Sequence, residues 1–351
     1  MTGSRARNCQ CKGRESAPRA RESGRRADVA WFDLPLDQLR LHRSQVRAPD
    51  DLGQFWSGTL DEARTHYAVL SAVTAQTGLD AMQVYDVTFA GFDGQPVRAW
   101  LTYPRAASAP LPCVVEYVGY GGGRGYPWEW LFWPSAGYAH LVMDTRGQGS
   151  QWRSGVTPDR WPLASPHADG FLTMGLDDPD GYYYRRVYAD AVRAVDAARA
   201  LPQVDRDRIA VAGGSQGGGI ALAVAGLVDG LAAALIDMPF LCDMRRASEL
   251  TDTEPYVQIG RYLRTHPDRV EQAFATLSYF DGTVLGRTAT APALFCVGLM
   301  DDVCPPSTVF AAANAYGHQA EVIEYPYNGH DVPPAAHRAV QLEFLKGHLR
   351  R

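Results

Sequence analysis

A serine inside a glycine-rich turn is the feature of this sequence best suited to chemistry. The segment Gly213-Gly-Ser215-Gln-Gly217 follows an apolar run at 209–212 and precedes an alanine-rich stretch, which predicts a strand, a tight turn and a helix. This context is typical of a nucleophile elbow, where small neighbours permit the turn and the serine hydroxyl is lifted above the sheet. The motif alone also occurs by chance as a glycine-rich turn with a serine cap. The strand before it and the helix after it favour the nucleophile.

The base that would take the serine proton is expected late in the chain, after the acid. His330 lies in the turn 327–330, directly after the last predicted strand. Among the nine histidines it alone combines a late position with a loop at a strand end. His318 precedes the same strand, while His337 and His348 lie in or beside the closing helix. Those three are predicted to be solvated or to pack within the fold.

The acid of such a triad is expected on the loop after the preceding strand. Asp301 and Asp302 both follow the apolar run at 293–300, so the spacing leaves two candidates. Asp301 comes first after the strand, which favours it. Its task would be to accept the imidazole N–H, which fixes the tautomer of the histidine and stabilises the imidazolium.

An oxyanion hole needs two backbone N–H donors. One is expected from Gln216, the residue after the serine, and the other from a loop after an early central strand. Gly119-Tyr120-Gly-Gly-Gly-Arg124-Gly125 is such a loop, and its glycines allow the backbone to approach a substrate closely. A phosphate-binding loop is the alternative interpretation, but the segment lacks a Walker lysine and its glycine spacing is weak support.

Alternating strands and helices must position these residues. The hydrophobic pattern from residue 80 onward predicts strands and helices that follow one another, and it makes 84–89 and 97–103 an antiparallel hairpin. The further predicted strands are 113–118, 141–143, 209–212, 232–236, 294–297 and 322–325, and the predicted helices are 182–201, 216–227, 307–315 and 337–349. This order predicts an α/β fold, with a mainly parallel sheet covered by helices on both faces.

Two stretches interrupt the alternation. Residues 145–181 are rich in Gly, Pro, Asp and Trp without a clear period, and residues 238–290 have a helical pattern between two strands. Long insertions after strand ends commonly shape the pocket of such a fold. We therefore expect a single domain over residues 29–351 with two pocket-forming insertions.

Charge divides the chain near residue 29. Of the 351 residues, the first 28 contain eight basic and three acidic side chains and therefore carry a charge of +5. Because the net charge of the whole chain is −5, the remaining residues carry −10. The composition of residues 1–28 predicts a disordered extension, and a misassigned upstream start codon would explain it. A nucleic-acid arm or a transit peptide is the sharper alternative. The acidic remainder argues against general nucleic-acid binding.

The cysteines and the hydropathy of the sequence indicate the redox compartment and whether the chain binds a metal or a membrane. The six cysteines form no disulfide framework, and Cys113 and Cys296 lie in apolar runs, which favours a reducing cytoplasm. Cys9 and Cys11 could form half of a metal site, but no histidine or second cysteine pair lies nearby. We expect no metal. No apolar run approaches the ~20 residues of a membrane span, so we expect no membrane association.

Taken together, the motifs resemble those of the cephalosporin C deacetylase and acetyl xylan esterase family, carbohydrate esterase family seven of the α/β-hydrolase superfamily. The resemblance runs from about residue 30 to the C-terminus. The matching segments are Trp31-Phe-Asp-Leu-Pro-Leu, Asp144-Thr-Arg146-Gly-Gln148-Gly, Gly214-Ser215-Gln216-Gly-Gly, Gly298-Leu-Met-Asp301 and Cys304-Pro-Pro-Ser-Thr. Several motifs in the same order make the likeness specific.

The resemblance implies a role for each matching residue. Ser215, Asp301 and His330 would form the triad, and the main-chain N–H groups of Tyr120 and Gln216 would bind the oxyanion. Arg146 and Gln148 would brace loops near the site, and Phe240 and Pro255 would form walls of a small acyl pocket. The family removes acetyl groups from xylo-oligosaccharides and from cephalosporin C without a cofactor. It is typically intracellular and hexameric.

One segment departs from the family pattern. The family usually has His-Glu at the base, whereas this chain has His330-Asp331 followed by Val332-Pro333-Pro334. We predict a serine acetylesterase that releases an alcohol and then hydrolyses an acetyl-enzyme. A broad carboxylesterase or a peptidase of the same fold is the alternative enzyme. A binding protein with a vestigial triad, and a basic tail that recruits nucleic acid, is the alternative outside enzymes.

Overall fold

Nine strands form one sheet in the computed structural model, which describes residues 32–108, 110–161, 165–331 and 334–349. These residues belong to one compact unit. The extension predicted at residues 1–28 and the metal half-site at Cys9 and Cys11 lie outside the described residues. The strands, in chain order, are β1 (Val69–Thr74), β2 (Met82–Ala90), β3 (Pro96–Pro104), β4 (Leu111–Tyr117), β5 (Ala139–Met143), β6 (Val204–Gly214), β7 (Ala233–Asp237), β8 (Ala293–Gly298) and β9 (Ala320–Tyr325).

Helices connect most of the strands. They are α1 (Leu36–Leu39), α2 (Leu52–Arg64), α3 (Phe132–Ser135), α4 (Tyr183–Ala200), α5 (Gln216–Leu227), α6 (Met244–Leu250), α7 (Val257–Thr265), α8 (Val270–Ser278), α9 (Gly282–Leu285), α10 (Pro306–Ala315) and α11 (Pro334–Leu349). Four short 3₁₀ turns at 92–94, 127–129, 267–269 and 286–288 complete the described elements.

The sheet has the order β1-β2-β3-β5-β4-β6-β7-β8-β9. The pairs from β4 and β5 through to β8 and β9 are parallel, whereas β1–β2, β2–β3 and β3–β5 are antiparallel. The hairpin and the mainly parallel sheet are therefore as predicted, and the α/β-hydrolase fold is confirmed. The structure adds α1, α2 and β1 before residue 80, where the pattern predicted no element.

Apolar side chains of the central strands serve two cores. In β4, Cys113 and Val115 belong to the larger core with α4 and α5, while Val114 points to a smaller core that includes Leu345 of α11. This alternation follows from the two-residue period of a strand. Helix α5 also contacts the sheet closely, since a Cβ on Gly217 would lie 2.1 Å from the carbonyl oxygen of Tyr117. Only a glycine permits that approach.

The two insertions differ in structure. In 238–290 the structure has the four helices α6 to α9, as the helical pattern predicted. The described part of 145–181 contains turns and bends and neither a helix nor a strand. The described residues include no helix that is long and apolar enough to cross a membrane.

Candidate active site

The glycine-rich turn holds Ser215 in a strained conformation between β6 and α5. Its φ and ψ are 57° and −120°, a region that non-glycine residues rarely adopt. Two backbone hydrogen bonds hold it there: its N–H donates to Asp237 O (3.0 Å), and its carbonyl accepts from Phe240 N–H (2.9 Å). A Cβ on Gly213 would lie 2.2 Å from the carbonyl carbon of Gly217, so the turn requires a glycine there. The predicted elbow is present.

The loops after β8 and β9 bring an acid and a histidine together. Nδ1 of His330 lies 2.8 Å from Oδ2 of Asp301, whose side chain is fully buried. The other carboxylate oxygen, Oδ1, accepts the backbone N–H groups of Val303 (2.9 Å) and Cys304 (2.8 Å). The alternative acid, Asp302, is exposed, and its Oδ2 lies 3.5 Å from Thr253 Oγ1. Of the two candidates, Asp301 is therefore the one paired with the histidine.

Ser215 and His330 line the same cavity, which has a volume of about 420 Å³. Ser215 follows β6, Asp301 follows β8 and His330 follows β9. These strands are parallel, so their carboxyl ends meet at one edge of the sheet, where α/β proteins commonly bind ligands. The three residues predicted as a triad are thus gathered at one edge.

The side chain of Gln216 connects the elbow to the glycine-rich loop after β4. Its Nε2 donates to Val118 O (3.1 Å), and its Oε1 accepts from the hydroxyl of Tyr184 (2.9 Å). It also forms a reciprocal amide pair with Gln148, with N–O distances of 2.8 and 3.1 Å. Gln216 is the first residue of α5, so its backbone N–H is one of the donors that a helix leaves unused.

The loop around Tyr120 is fixed at the peptide unit that follows this residue and at its side chain. The carbonyl of Tyr120 accepts from Trp152 Nε1 (2.8 Å), and the next N–H, of Gly121, donates to Gln148 Oε1 (2.7 Å). The hydroxyl of Tyr120 donates to Gln258 Oε1 (3.1 Å) and accepts from the N–H of Phe171 (2.6 Å). These bonds leave little freedom to the loop that carries the second predicted oxyanion donor.

Arg146 and Gln148 bond to several elements around the elbow. The guanidinium of Arg146, 1% exposed, donates twice to the buried carboxylate of Asp190 on α4 at 2.5 and 2.6 Å. It also contacts Asp159 (3.4 Å) and Gln95 (3.1 Å). These contacts hold the segment after β5 against α4, which is what the predicted bracing role requires.

Phe240 and Pro255 lie beside the elbow, behind the surface of the cavity. The ring of Phe240 is fully buried and contacts Tyr120 and Tyr256, with ring centroids 5.9 and 4.5 Å apart. Pro255 is buried and directly precedes Tyr256. Neither Phe240 nor Pro255 is among the described residues that line the 420 Å³ cavity.

Cys304 has no role predicted from the sequence, but the structure places it next to Asp301. Its thiol is buried, and burial raises its pKa well above the usual range, while the hydroxyl of Ser215 acts in the opposite direction. Its backbone N–H binds Asp301. The sequence signal was the Cys-Pro-Pro segment after the acid, which indicates a turn but no contact with the serine.

A buried cluster of Glu116, His140 and Arg338 was also missed. Glu116 Oε2 lies 2.9 Å from His140 Nε2 and accepts from Trp133 Nε1 (3.0 Å), while Oε1 accepts from Arg338 (3.3 Å). Burial alone would raise the pKa of Glu116, but Arg338 and His140 lower it to about 2. The carboxylate is therefore ionised at neutral pH. Three distant segments supply the cluster, so no local spacing indicated it.

One group of side chains in the described residues has metal-ligand chemistry. Ligand atoms of Asp237, Cys296 and His337 lie within 4.8 Å of one another. Hydrogen bonds already engage the acid and the base: His337 Nε2 lies 2.7 Å from Asp237 Oδ1, and Gln341 Nε2 donates to Oδ2 at 2.7 Å. Burial raises the pKa of the Cys296 thiol well above its usual range. We read the group as a link between β7 and α11, with His337 buried at 3% exposure.

Comparison with known proteins identifies the family of this chain. The sequence model of the acetyl xylan esterase family matches residues 29–348. The chain belongs to this family. The resemblance drawn from the motifs is confirmed, and with it the predicted enzyme class, a carboxylic ester hydrolase.

Individual relatives agree with the family assignment. An acetyl esterase, Axe7A, of Xylanibacter ruminicola is 30% identical over 300 residues, which are 83% of this chain and 65% of that protein. The chain thus spans just under two thirds of that relative. Two solved structures cover 90% of the chain: an acetyl xylan esterase from Paenibacillus sp. R4 (39% identity, TM-score 0.85) and acetyl xylan esterase 1 from Thermoanaerobacterium sp. JW/SL YS485 (31%, 0.82). The chain covers 100% and 99% of those two chains.

Proposed function

We propose that this protein is a serine esterase that removes acetyl groups from small acetylated carbohydrates. One observation carries the proposal: Ser215, in a strained elbow, shares a cavity with His330, whose Nδ1 lies 2.8 Å from buried Asp301. This is the arrangement in which a histidine, oriented by a carboxylate, activates a serine. Family membership supports the same chemistry.

In the proposed acylation step, His330 takes the proton of the Ser215 hydroxyl. Because Nδ1 of His330 faces Asp301, its Nε2 is the nitrogen that accepts this proton. The serine oxygen bonds to the acetyl carbonyl carbon, and the carbonyl electrons move to the oxygen. The C–O bond to the leaving group then breaks, and imidazolium returns the proton to the departing alcohol. Water repeats the sequence on the acetyl-enzyme, and acetate leaves.

The backbone N–H groups of Tyr120 and Gln216 stabilise the tetrahedral oxyanion in this proposal. The bonds of Gln148 and Trp152 to the loop support this role, since they fix the peptide unit that follows Tyr120 before substrate arrives. Donors that need no rearrangement stabilise developing charge best. Removing one such donor typically lowers the rate by about 10²–10³-fold.

Acyl selectivity would come from the side of the elbow that carries Phe240. Its buried ring contacts Tyr120 and Tyr256, its backbone N–H bonds to the carbonyl of Ser215, and Pro255 is the residue before Tyr256. A wall of rigid rings admits a methyl group more readily than a longer chain. We therefore propose that acetyl esters are preferred over butyryl esters, and that cephalosporin C, which carries an acetyl ester, is an accessible second substrate.

Two substitutions and two esters test this proposal. Initial rates are measured with p-nitrophenyl acetate and p-nitrophenyl butyrate for the full chain, for Ser215→Ala and for Ser248→Ala. Ser248 is a matched control because it lies on α6 and its hydroxyl bonds only Arg245 O. We expect Ser215→Ala to abolish activity and Ser248→Ala to leave it unchanged. Residual turnover in Ser215→Ala would refute the mechanism, and preference for butyrate would refute the acetyl assignment. Cleavage of an amide substrate at a comparable rate would favour the peptidase alternative.

Assembly and location extend the proposal. Family resemblance supports a homo-hexamer in the cytoplasm that acts on small substrates, without a nucleic-acid or membrane partner. Size-exclusion chromatography with light scattering tests the assembly, because a hexamer has six times the chain mass of 38.4 kDa. A monomeric mass at micromolar concentration would contradict it.

A further inference from the structure

The cavity beside Ser215 is larger than the acetyl group requires. At about 420 Å³ it falls within the ~300–1,000 Å³ of pockets that enclose a drug-sized ligand. From Ser215 and His330 it continues along Met238 to Glu116 and Arg338, on the face of the sheet that α11 covers. Phe240 is not among the described residues that line this cavity, so the volume is separate from the proposed acyl wall. The alcohol portion of the substrate must occupy it.

One wall of the cavity is an ion pair. Arg338, with a side chain 34% exposed, donates to Glu116 Oε1 at 3.3 Å, and Glu116 is 9% exposed. The guanidinium lies 5.5 Å from the ring centroids of both Phe132 and Trp133, which restrict its position. Its bonds to Glu116 and Gln341 involve two of its five N–H groups, so donors remain for a ligand.

Another part of the lining is aromatic and contains a second ion pair. Trp152 is 56% exposed, and its ring packs against the backbone of Gly122. Arg153 lies over the rings of Trp130 and Trp152, at 4.2 and 4.9 Å from their centroids, and its Nε donates to Glu129 at 3.0 Å. An indole face next to fixed charges offers both apolar contact and hydrogen bonds to one ligand.

We propose that this part of the cavity is the leaving-group subsite and that it binds a neutral pyranoside. The C–H face of the sugar ring packs on Trp152, and its hydroxyl groups bond to Arg338 and Glu116. The inference rests on the proposed function, and it adds the residues that choose the alcohol. Each arginine in the wall has a glutamate partner, so no arginine charge is left unpaired, and a ligand carboxylate that approaches Arg338 also meets Glu116. Hydroxyl groups are suited to both members of each pair.

A comparison of three acetyl esters tests the subsite. The kcat/KM of the full chain is measured with p-nitrophenyl acetate, with xylobiose that carries a single O-acetyl group and otherwise free hydroxyl groups, and with cephalosporin C. Arg338→Met removes the guanidinium and keeps an apolar side chain. Arg208→Met is the matched control, because Arg208 is 35% exposed and pairs with a single carboxylate, Asp205, away from the cavity.

We expect Arg338→Met to lower kcat/KM for acetylated xylobiose, relative to p-nitrophenyl acetate, by about tenfold to a hundredfold, the effect of losing hydrogen bonds from a charged donor. Arg208→Met should leave that ratio unchanged. The wild-type chain should prefer acetylated xylobiose to cephalosporin C, whose carboxylate meets the glutamates. Unmodified xylobiose should bind Ser215→Ala in calorimetry and lose that binding when Arg338→Met is added.

The experiment distinguishes failure of the proposed function from failure of the proposed subsite. No hydrolysis of any of the three esters would contradict the proposed function itself. An equal loss with acetylated xylobiose and p-nitrophenyl acetate would make Arg338 a structural residue and overturn the subsite. Equal or better hydrolysis of cephalosporin C would overturn the neutral sugar as its ligand. Thermal melting accompanies every variant, and Arg338→Lys, which keeps the charge but loses the planar fork, replaces Arg338→Met if that chain does not fold.

Discussion

Replacing Asp301 by asparagine should remove nearly all activity while leaving the fold intact. The reason lies in the two backbone N–H groups, of Val303 and Cys304, that point at Oδ1. An asparagine must turn its carbonyl oxygen toward these two donors, because its NH₂ group cannot accept from them. The NH₂ group then faces Nδ1 of His330, which has to become the acceptor. His330 would carry its proton on Nε2 and could not take one from Ser215.

The size of this effect follows from the tautomer. The equivalent exchange in a serine protease triad lowers kcat by about 10⁴-fold, and we expect the same order here because the geometry that forces the tautomer is present. That factor corresponds to about 5 kcal/mol of transition-state stabilisation. Stability should change far less, by about 1–2 kcal/mol, since Asp301→Asn keeps its backbone hydrogen bonds.

The assay is hydrolysis of p-nitrophenyl acetate, with thermal melting of each variant. Asp302→Asn is the control: Asp302 is the exposed neighbour, and exposed substitutions typically change energies by about 0.5 kcal/mol or less, about twofold in rate. An Asp301→Asn enzyme within tenfold of wild type would refute the argument. So would a loss of activity in Asp302→Asn that matched the loss in Asp301→Asn.

Three further substitutions test the framework of the site. Gly213→Ala should abolish both activity and correct folding of the elbow, seen by melting, because its Cβ would lie 2.2 Å from the backbone of Gly217. Asp190→Asn should lower the free energy of unfolding by about 3–5 kcal/mol in denaturant titration, since it removes the carboxylate that accepts two hydrogen bonds from buried Arg146 and leaves Asp159 at 3.4 Å. The pKa of Glu116 is lowered to about 2 from 4.5, so its pairing stabilises the fold above pH 4.5 and is lost as the pH falls toward 2. This pairing contributes up to about 3 kcal/mol to the stability of the wild-type chain, and that contribution is lost over this pH range. Glu116→Gln lacks it, so the melting temperature of this variant should fall less as the pH is lowered. A normal melt for Gly213→Ala, a shift below 1 kcal/mol for Asp190→Asn, or an unchanged acid limb for Glu116→Gln would contradict these expectations.

Local sequence was enough to predict the elbow. The strand, the small residues around Ser215 and the helix at 216–227 are contiguous, and the structure has that helix at Gln216–Leu227. The order of acid and histidine could be predicted as well, because each follows a strand whose apolar run is unambiguous. What pairs Asp301 with His330 is the parallel register of β8 and β9, which follows from the alternation of elements.

Other features left no local pattern to detect. Strand β1 was missed because five of its six residues are exposed at the edge of the sheet, so it lacks an alternating buried face. The Glu116–Arg338 pair joins residues 222 positions apart, on a strand and on the closing helix. Charged residues in an apolar strand and in an amphipathic helix look like solvated positions until tertiary packing brings them together.

The reciprocal amide pair of Gln148 and Gln216 has a consequence for how such an enzyme could evolve. It links the nucleophile elbow, the proposed oxyanion loop and α4 through hydrogen bonds. A substitution that shifts any one of them therefore disturbs all three. The proposed leaving-group wall draws its side chains instead from β4, from α11 and from the loop that carries Trp152. Substitutions in this wall could therefore change which alcohol the enzyme releases without altering the residues that cleave the ester bond. The two parts of the pocket could then diverge at different rates.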